Sequence, residues 1–363
     1  MRAAAISLVR TTIPRSLPKA GRVVDRARAR LDSPAIDRDD CATVLGQYDL
    51  RVTGAPRNIG YGWRNEIVIV KTSDGTKVLK RYPSRWSEAA VQHEHSILAH
   101  LESVAFPAVR LVRRSDGTTS TTHAGVTYVL FEFSSGRNVT GCITSPRQHR
   151  RHLACAGSTL ARLHRALEGF VPTGVHHLSD HLDGANDRST LGYRTVLARL
   201  VERSHPSSGE VHAQLEWLRG RAGRVHERLE QLDERLGAAP LNRHVIHGDY
   251  GLHNLLFRAD GTAVVHDFEL ARVDYRLADL AAVLSRSESH PTSAFVDSYR
   301  AESAITGHEW DHLSEVWERH RLCGAVRSWE NFSRYGDPRR LHTARRRIDE
   351  AATVRTSGVP TCR

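Results

Sequence analysis

The sequence predicts an α+β protein, in which an antiparallel sheet with one helix precedes a mostly helical second part. Residues 66–70 form a compact β-branched run, a turn signal follows at residues 73–76, and a further strand begins at residue 77. Beyond residue 145 the apolar residues recur at helical spacing. Between these regions, residues 134–136 (Ser-Ser-Gly) interrupt both patterns and mark a boundary.

The first part should contain five strands and one helix. The helix is expected because apolar residues between positions 90 and 101 share one face. Strands are expected where β-branched and aromatic residues are bounded by turn residues. The predicted strands are residues 46–56, 65–72, 77–82, 108–114 and 126–133, and the predicted helix is residues 84–103.

The second part should consist of helices, with two short strands that flank a polar loop. The first helix is predicted because its leucines, Leu153, Leu160, Leu163 and Leu167, recur at helical intervals. The predicted helices are residues 145–167, 189–203, 209–236, 276–286, 292–303, 308–333 and 338–353, and the strands are residues 253–257 and 263–267.

The net charge of +11 is unevenly distributed along the chain. Residues 1–40 carry nine basic and five acidic side chains, residues 319–363 carry eleven and four, and the residues between them are neutral overall. We expect residues 1–40 to be a loosely ordered basic extension with a short helix near residues 20–31, and residues 319–363 to be a basic helical segment and tail. These ends are either solvated or bind a protein partner. Arginine runs without interleaved aromatic residues argue against nucleic acid.

The sequence also favours a cytoplasmic location. No apolar run approaches the roughly 20 residues that cross a bilayer, so no membrane partner is expected. The five cysteines are scattered without a C-x-x-C pair, which is typical of reduced thiols. The arginine-containing N-terminus lacks an evident cleavage site for secretion, although it could mimic an organelle transit peptide.

A polar stretch in the second part has the spacing of a phosphoryl-transfer site. Asp249 follows a His-Gly pair, Asn254 comes five residues later, and Asp267 comes thirteen residues after Asn254. Phosphoryl transfer from ATP needs one carboxylate near the attacking hydroxyl and oxygen ligands for magnesium. We therefore predict Asp249 as the catalytic base or hydroxyl-orienting residue, and Asn254 and Asp267 as the metal ligands.

These motifs resemble those of the aminoglycoside phosphotransferase and choline kinase family, the small-molecule branch of the kinase-like fold. The family motifs H-G-D-x-x-x-x-N and D-F-E both stand intact, at residues 247–254 and 267–269. The resemblance covers roughly residues 41–318 and implies a protein-kinase-like two-lobed fold with ATP and Mg²⁺ as cofactors. The N-lobe would be residues 41–136 and the C-lobe residues 137–318. Beside Asp249 in the catalytic set, His247 would orient the loop by hydrogen bonding.

The resemblance also assigns a nucleotide-binding set. Lys80 would contact the α- and β-phosphates, and Glu94 on the following helix would pair with it. A solvated lysine at a sheet edge is the alternative for Lys80, and Glu88 competes with Glu94 for the pairing role. The full predicted set is Lys80 and Glu94, then Ile59 and Gly60 in a phosphate-covering turn, then Glu132 and Phe133 in a hinge whose backbone binds adenine.

The sequence leaves the acceptor open. Residues 171–240 carry nine basic and ten acidic side chains, without the acidic excess that a polycationic antibiotic would favour. Asp180, Asp183 and Asp187 could bind an amine or form a solvated turn. We favour a hydroxyl on a neutral or anionic small molecule, or on a peptide Ser or Thr. The alternatives are an aminoglycoside-type antibiotic resistance kinase and a pseudokinase-like nucleotide-binding partner module.

Overall fold

The computed structural model describes residues 36–61, 66–84, 86–140, 142, 144–176, 190–202, 209–286 and 292–357. They divide into two compact units, of which the first holds the described residues up to Ser84 together with Arg113–Leu130, and the second holds the others. A sheet in the first unit and a mostly helical second unit confirm the α+β fold class. The predicted helix at residues 20–31 and the cluster of Asp180, Asp183 and Asp187 lie outside the described residues.

The first unit is built on a five-stranded sheet. Its strands are β1 (Arg57–Tyr61), β2 (Glu66–Thr72), β3 (Gly75–Arg81), β4 (Ser120–His123) and β5 (Val126–Glu132). They lie in the order β1-β2-β3-β5-β4, and the pairs β1–β2, β2–β3 and β4–β5 are antiparallel. Val68, Val70 and Leu79 are buried on this sheet, as expected of alternating strands with one apolar face.

Two of the predicted strands are wrong. A helix, α1 (Arg38–Gly46), ends where residues 46–56 were predicted to form a strand, and Asp37 and Asp40 start that helix with a capping box. Residues 108–114 make only isolated bridges. The sheet uses β1 and β4 instead. Strand β1 contains Asn and Gly, which are weak strand formers, and β4 is only four residues long, so each depends on pairing with its longer neighbouring strand.

The second unit contains the remaining described helices. They are α2 (Glu88–Ser103), α3 (Pro146–Ala166), α4 (Thr190–Glu202), α5 (Gly209–Ala238), α6 (Leu277–Leu284), α7 (Ser293–Glu302), α8 (Gly307–Asp311), α9 (Leu313–Tyr335) and α10 (Arg339–Ser357). Helices α4, α5, α9 and α10 share one apolar core, to which Leu215, Leu229 and Leu341 contribute fully buried side chains. The basic segment after residue 319 is therefore packed through its apolar face. Among the described helices, none is long and apolar enough to cross a membrane.

Two pairs of short strands support the polar loop in this unit. Strand β6 (Arg243–Ile246) pairs with β9 (Arg272–Tyr275), and β7 (Leu255–Phe257) pairs with β8 (Ala263–Val265), both antiparallel. Two 3₁₀ turns, at Leu252–Asn254 and Phe268–Leu270, connect them to the loop. Most of the apolar residues of β6, β7 and β8 are buried, so the loop that carries the predicted catalytic residues begins and ends on packed strands.

Candidate active site

A buried carboxylate supports the loop that follows β6. Asp279 on α6 is fully buried, and it accepts hydrogen bonds from the backbone N–H groups of His247 and Gly248, both at 2.8 Å. His164 Nε2 lies 3.2 Å from the same carboxylate, while His164 Nδ1 lies 2.9 Å from the Tyr299 hydroxyl. Burial opposes ionisation of Asp279, but the hydrogen bond and charge of His164 and the hydrogen bond from the His247 backbone N–H outweigh it, so the pKa of Asp279 lies below its usual value.

His247 links the two motifs through its imidazole ring. The side chain is fully buried, and Nε2 lies 3.0 Å from the backbone oxygen of His266. Nδ1 accepts a hydrogen bond from the backbone N–H of Asp249 at 3.3 Å. Burial lowers the pKa of His247, so the ring is neutral with its proton on Nε2. This arrangement fits the predicted orienting role, which stays a prediction.

Gly248 occupies a position where no side chain fits. Its φ is +77°, and a Cβ atom there would overlap the carbonyl oxygen of Leu270 and the guanidinium of Arg272. We expect Gly248→Ala to move the loop and to lower the predicted phosphoryl transfer by roughly 10²-fold or more, because small displacements of catalytic groups are costly. Steady-state turnover and thermal unfolding would measure both effects.

Gly261 provides the matched control for Gly248. Its φ is +87°, but nothing lies within 4 Å of a Cβ atom built there. Gly261→Ala should therefore cost only the backbone strain of about 1 kcal/mol and leave turnover intact. Equal losses of turnover in Gly248→Ala and Gly261→Ala would show that the close contact of Gly248 with Leu270 is not important for activity.

Asp249 lies between the side chains of Arg286 and His253. Arg286 forms an ion pair with one carboxylate oxygen, and His253 Nε2 lies 3.4 Å from the other. Burial disfavours the charged carboxylate, but the hydrogen bond from His253 and the positive charge of Arg286 hold the pKa of Asp249 far below its usual range. Asp249 is therefore ionised at neutral pH. Its carboxylate accepts hydrogen bonds but is a weak base.

The predicted metal ligands lie side by side at the start and end of the β7–β8 pair. The His266 N–H donates to the Asn254 backbone oxygen at 3.1 Å, which puts Asp267 beside Asn254. The Asn254 Nδ2 atom donates to the Asp249 backbone oxygen at 3.0 Å, so the amide oxygen is the atom that could bind a cation. Asp267 has φ +67° and ψ +64°, a conformation that costs most residues about 1 kcal/mol. One amide oxygen and one carboxylate fit Mg²⁺, which also keeps waters and phosphate ligands.

The predicted nucleotide-binding residues are divided between the units. Lys80 is buried in β3 with its Nζ 4.7 Å from the centre of the Tyr82 ring, and Ile59 and Gly60 lie on β1 rather than in a turn. Glu94 is buried on α2, and this helix contacts the Phe268–Leu270 turn. These assignments stay predictions.

The predicted hinge lies at the end of β5. The Glu132 backbone N–H donates to the Arg110 oxygen at 2.9 Å, so this group is not available to adenine. Phe133 is 47% exposed, which leaves its ring open to a ligand. If this segment binds adenine, the bond must therefore use the Glu132 oxygen or the Phe133 backbone.

A family comparison identifies the chain. The model of the family described as "Phosphotransferase enzyme family" matches residues 56–322. The chain belongs to this phosphotransferase enzyme family. It is a phosphotransferase with an alcohol group as acceptor, and the match confirms the resemblance inferred from residues 247–254 and 267–269.

Curated relatives and solved structures agree with this assignment. The phosphotransferase is 26% identical over 255 residues to a homoserine kinase from Caulobacter sp., covering 69% of this chain and 70% of the relative. It is 27% identical over 259 residues to a homoserine kinase from Acidiphilium cryptum, covering 71% and 72%. A microcompartment-associated aminopropanol kinase shares the fold with a TM-score of 0.66 at 18% identity, over 90% of this chain and all of that chain. An amicoumacin kinase in complex with AMP-PNP and Ca²⁺ has a TM-score of 0.62 at 14% identity, over 84% and 90%.

Several site residues of the phosphotransferase were missed by the sequence analysis. Arg286 and His253 contact Asp249, while His164 and Tyr299 complete the support around Asp279. His253 could have been found, because it lies four residues after Asp249 in a short loop. The other three come from separate helices or helix ends, and no local pattern in the sequence relates them to the loop.

Proposed function

We propose that this phosphotransferase moves the γ-phosphate of ATP, with Mg²⁺, to a hydroxyl of a small molecule or of a peptide Ser or Thr. The observation that carries the proposal is the loop in which Asp249, Asn254 and Asp267 are held together over the buried Asp279. An ionised carboxylate beside two oxygen ligands is the arrangement that phosphoryl transfer requires. ATP and Mg²⁺ are both supplied in the cytoplasm, where the sequence predicts this enzyme to act.

Asp249 would act mainly by orientation. It would accept a hydrogen bond from the acceptor hydroxyl and so direct the oxygen toward the phosphate. The carboxylate would take that proton as the bond from the hydroxyl oxygen to the γ-phosphorus forms and the bond to ADP breaks. Asn254 and Asp267 would hold Mg²⁺, which neutralises charge on the phosphates. Lys80 would add a positive charge to the same phosphates.

The test is magnesium-dependent consumption of ATP with a panel of hydroxylated acceptors. Homoserine should be the first acceptor, because the curated relatives are named homoserine kinases. An amino alcohol, an aminoglycoside and Ser/Thr peptides complete the panel. We expect acceptor-stimulated turnover that chelation of Mg²⁺ abolishes and that Asp267→Asn lowers by roughly 10²-fold or more.

The control for Asp267→Asn is Asp260→Asn. Asp260 lies in the exposed β7–β8 turn, where its carboxylate accepts hydrogen bonds from Thr262. This variant should turn over ATP like the wild type. If the wild-type protein binds nucleotide but shows no turnover with any acceptor, that result would instead support the pseudokinase-like module.

A further inference from the structure

Arg286 presents a cationic group directly beside the predicted catalytic carboxylate. Its Nη1 donates to the Tyr250 backbone oxygen at 3.0 Å, and its Nη2 forms the ion pair with Asp249. The side chain is nevertheless 45% exposed. Two acceptors therefore fix the guanidinium while much of its surface faces solvent, which is a preorganised arrangement for ligand binding.

The guanidinium retains hydrogen-bonding capacity after these contacts. An arginine has five N–H donors in one plane, and the contacts with Tyr250 and Asp249 use one on each terminal nitrogen. The remaining donors suit a second planar anion, since arginine binds carboxylates in a forked geometry. A lysine would lack this capacity, because its ammonium group is a single point charge.

Arg286 is one of several arginines that act electrostatically on His320. Burial, followed by the positive charges of Arg286, Arg347, Arg321 and Arg272, lowers the pKa of His320 to about 3. The same cluster contains carboxylates, since Arg272 pairs with Asp274 at 2.9 Å and Arg321 pairs with Glu350 at 3.1 Å.

Arg347 differs from these paired arginines. It donates to the Gly324 oxygen at 2.6 Å and to the Ser328 hydroxyl at 3.0 Å, which are both neutral acceptors. Burial and the charges of Arg321, Arg346 and Arg286 outweigh the opposing charge of Glu350 and lower the pKa of Arg347 to about 10. Positive charge therefore exceeds what the neighbouring carboxylates neutralise, which favours an anionic ligand on the Arg286 side of Asp249.

Building on the proposed phosphotransferase function, we propose that the acceptor is a hydroxy acid whose carboxylate is bound by Arg286 while its hydroxyl lies at Asp249. The contact between Arg286 and Asp249 limits the length of this acceptor. A bond from the acceptor carboxylate to the guanidinium, the ion pair between Arg286 and Asp249, and a bond from the hydroxyl to Asp249 are three contacts of about 3 Å in series, so the hydroxyl oxygen lies within roughly 10 Å of the carboxylate. The site therefore selects short hydroxy acids, with or without an amino group, over amino alcohols and polycationic sugars.

The test compares a carboxylate acceptor with its neutral counterpart in the same variant. The acceptors are L-homoserine and L-homoserine carboxamide, measured with wild type, Arg286→Gln and Arg286→Lys. Arg258→Gln is the matched control, because Arg258 lies in the exposed turn between β7 and β8. We expect the wild type to prefer the carboxylate on the order of 10- to 100-fold in kcat/KM. Arg286→Gln should raise the KM for L-homoserine and so bring this ratio near one. Arg286→Lys should keep part of the preference for the carboxylate. The KM for ATP should stay unchanged in both variants.

A residue that merely held Asp249 in place would change both acceptors equally, so an unaltered ratio in Arg286→Gln would overturn the inference. A wild-type preference for the carboxamide would also overturn it, while leaving the phosphotransferase function intact. Calorimetric binding of the two compounds in the presence of a non-hydrolysable ATP analogue provides a readout that needs no turnover. Absence of turnover together with a carboxylate preference in binding would reject the proposed reaction and retain the role of Arg286; equal binding would reject that role.

Discussion

Asp249→Asn should lower kcat by about 10³-fold, because general acid–base and orienting groups of this kind contribute 10²- to 10⁴-fold. The amide has the same shape as the carboxylate, but it has lost the charge that pairs with Arg286 and His253. Its oxygen is also a poorer acceptor for the hydroxyl proton. The measurement is single-turnover phosphoryl transfer at saturating ATP and acceptor, which separates the chemical step from binding.

Nucleotide binding and folding should persist in Asp249→Asn. The carboxylate is 29% exposed, and partly exposed ion pairs contribute about 1 kcal/mol or less to stability. Asp260→Asn again provides the control, because it makes the same chemical change in an exposed turn. A variant that binds ATP normally and still transfers phosphate at the wild-type rate would remove Asp249 from the mechanism.

Asp279→Ala should lower the free energy of unfolding by about 3–5 kcal/mol, since removing one partner from a buried charged network leaves the others without acceptors. The backbone N–H groups of His247 and Gly248 would both lose their bond to the carboxylate, and His164 would lose its neighbour. Asp279→Asn keeps one oxygen and should cost less, about 1–3 kcal/mol. Urea-induced unfolding followed by circular dichroism measures each value.

The exposed Asp297 on α7 supplies the comparison for Asp279. Asp297→Ala should change the free energy of unfolding by less than about 0.5 kcal/mol. The pH dependence gives a second check, because the pKa of Asp279 is lowered in the folded protein. Its stabilisation is then complete above the unfolded value of about 3.9 and disappears as the pH falls through the lower folded value. The free energies of unfolding of the wild type and of Asp279→Asn should therefore become equal only in strongly acidic solution.

The sequence predicted those parts of the fold that local patterns determine. The β2–β3 hairpin follows from a β-branched run and a turn, and α3 follows from regularly spaced leucines. Strands β1 and β4 were not predictable in this way, because each is defined by pairing with a stronger neighbour. The helix at residues 38–46 does have a local signal, the capping box of Asp37 and Asp40, but the pattern of apolar residues there does not indicate a helix.

The site shows the same division between local and distant information. Asp249, Asn254 and Asp267 could be proposed from spacing, because all three belong to one continuous segment. Arg286 lies 37 residues from Asp249, and His164 lies 115 residues from Asp279. Only packing of α3, α6 and the loop brings them together. A pattern within the catalytic segment therefore carries no information about them.

The bond from Asp279 to the loop has an evolutionary consequence. It holds backbone N–H groups rather than side chains, and a backbone N–H is the same in every amino acid except proline. Asp279 therefore makes no demand of its own on the side chains farther along this loop, where Tyr250 and Asn254 supply the remaining support. Acceptor preference can diverge by those substitutions around Asp249 that leave these three contacts in place.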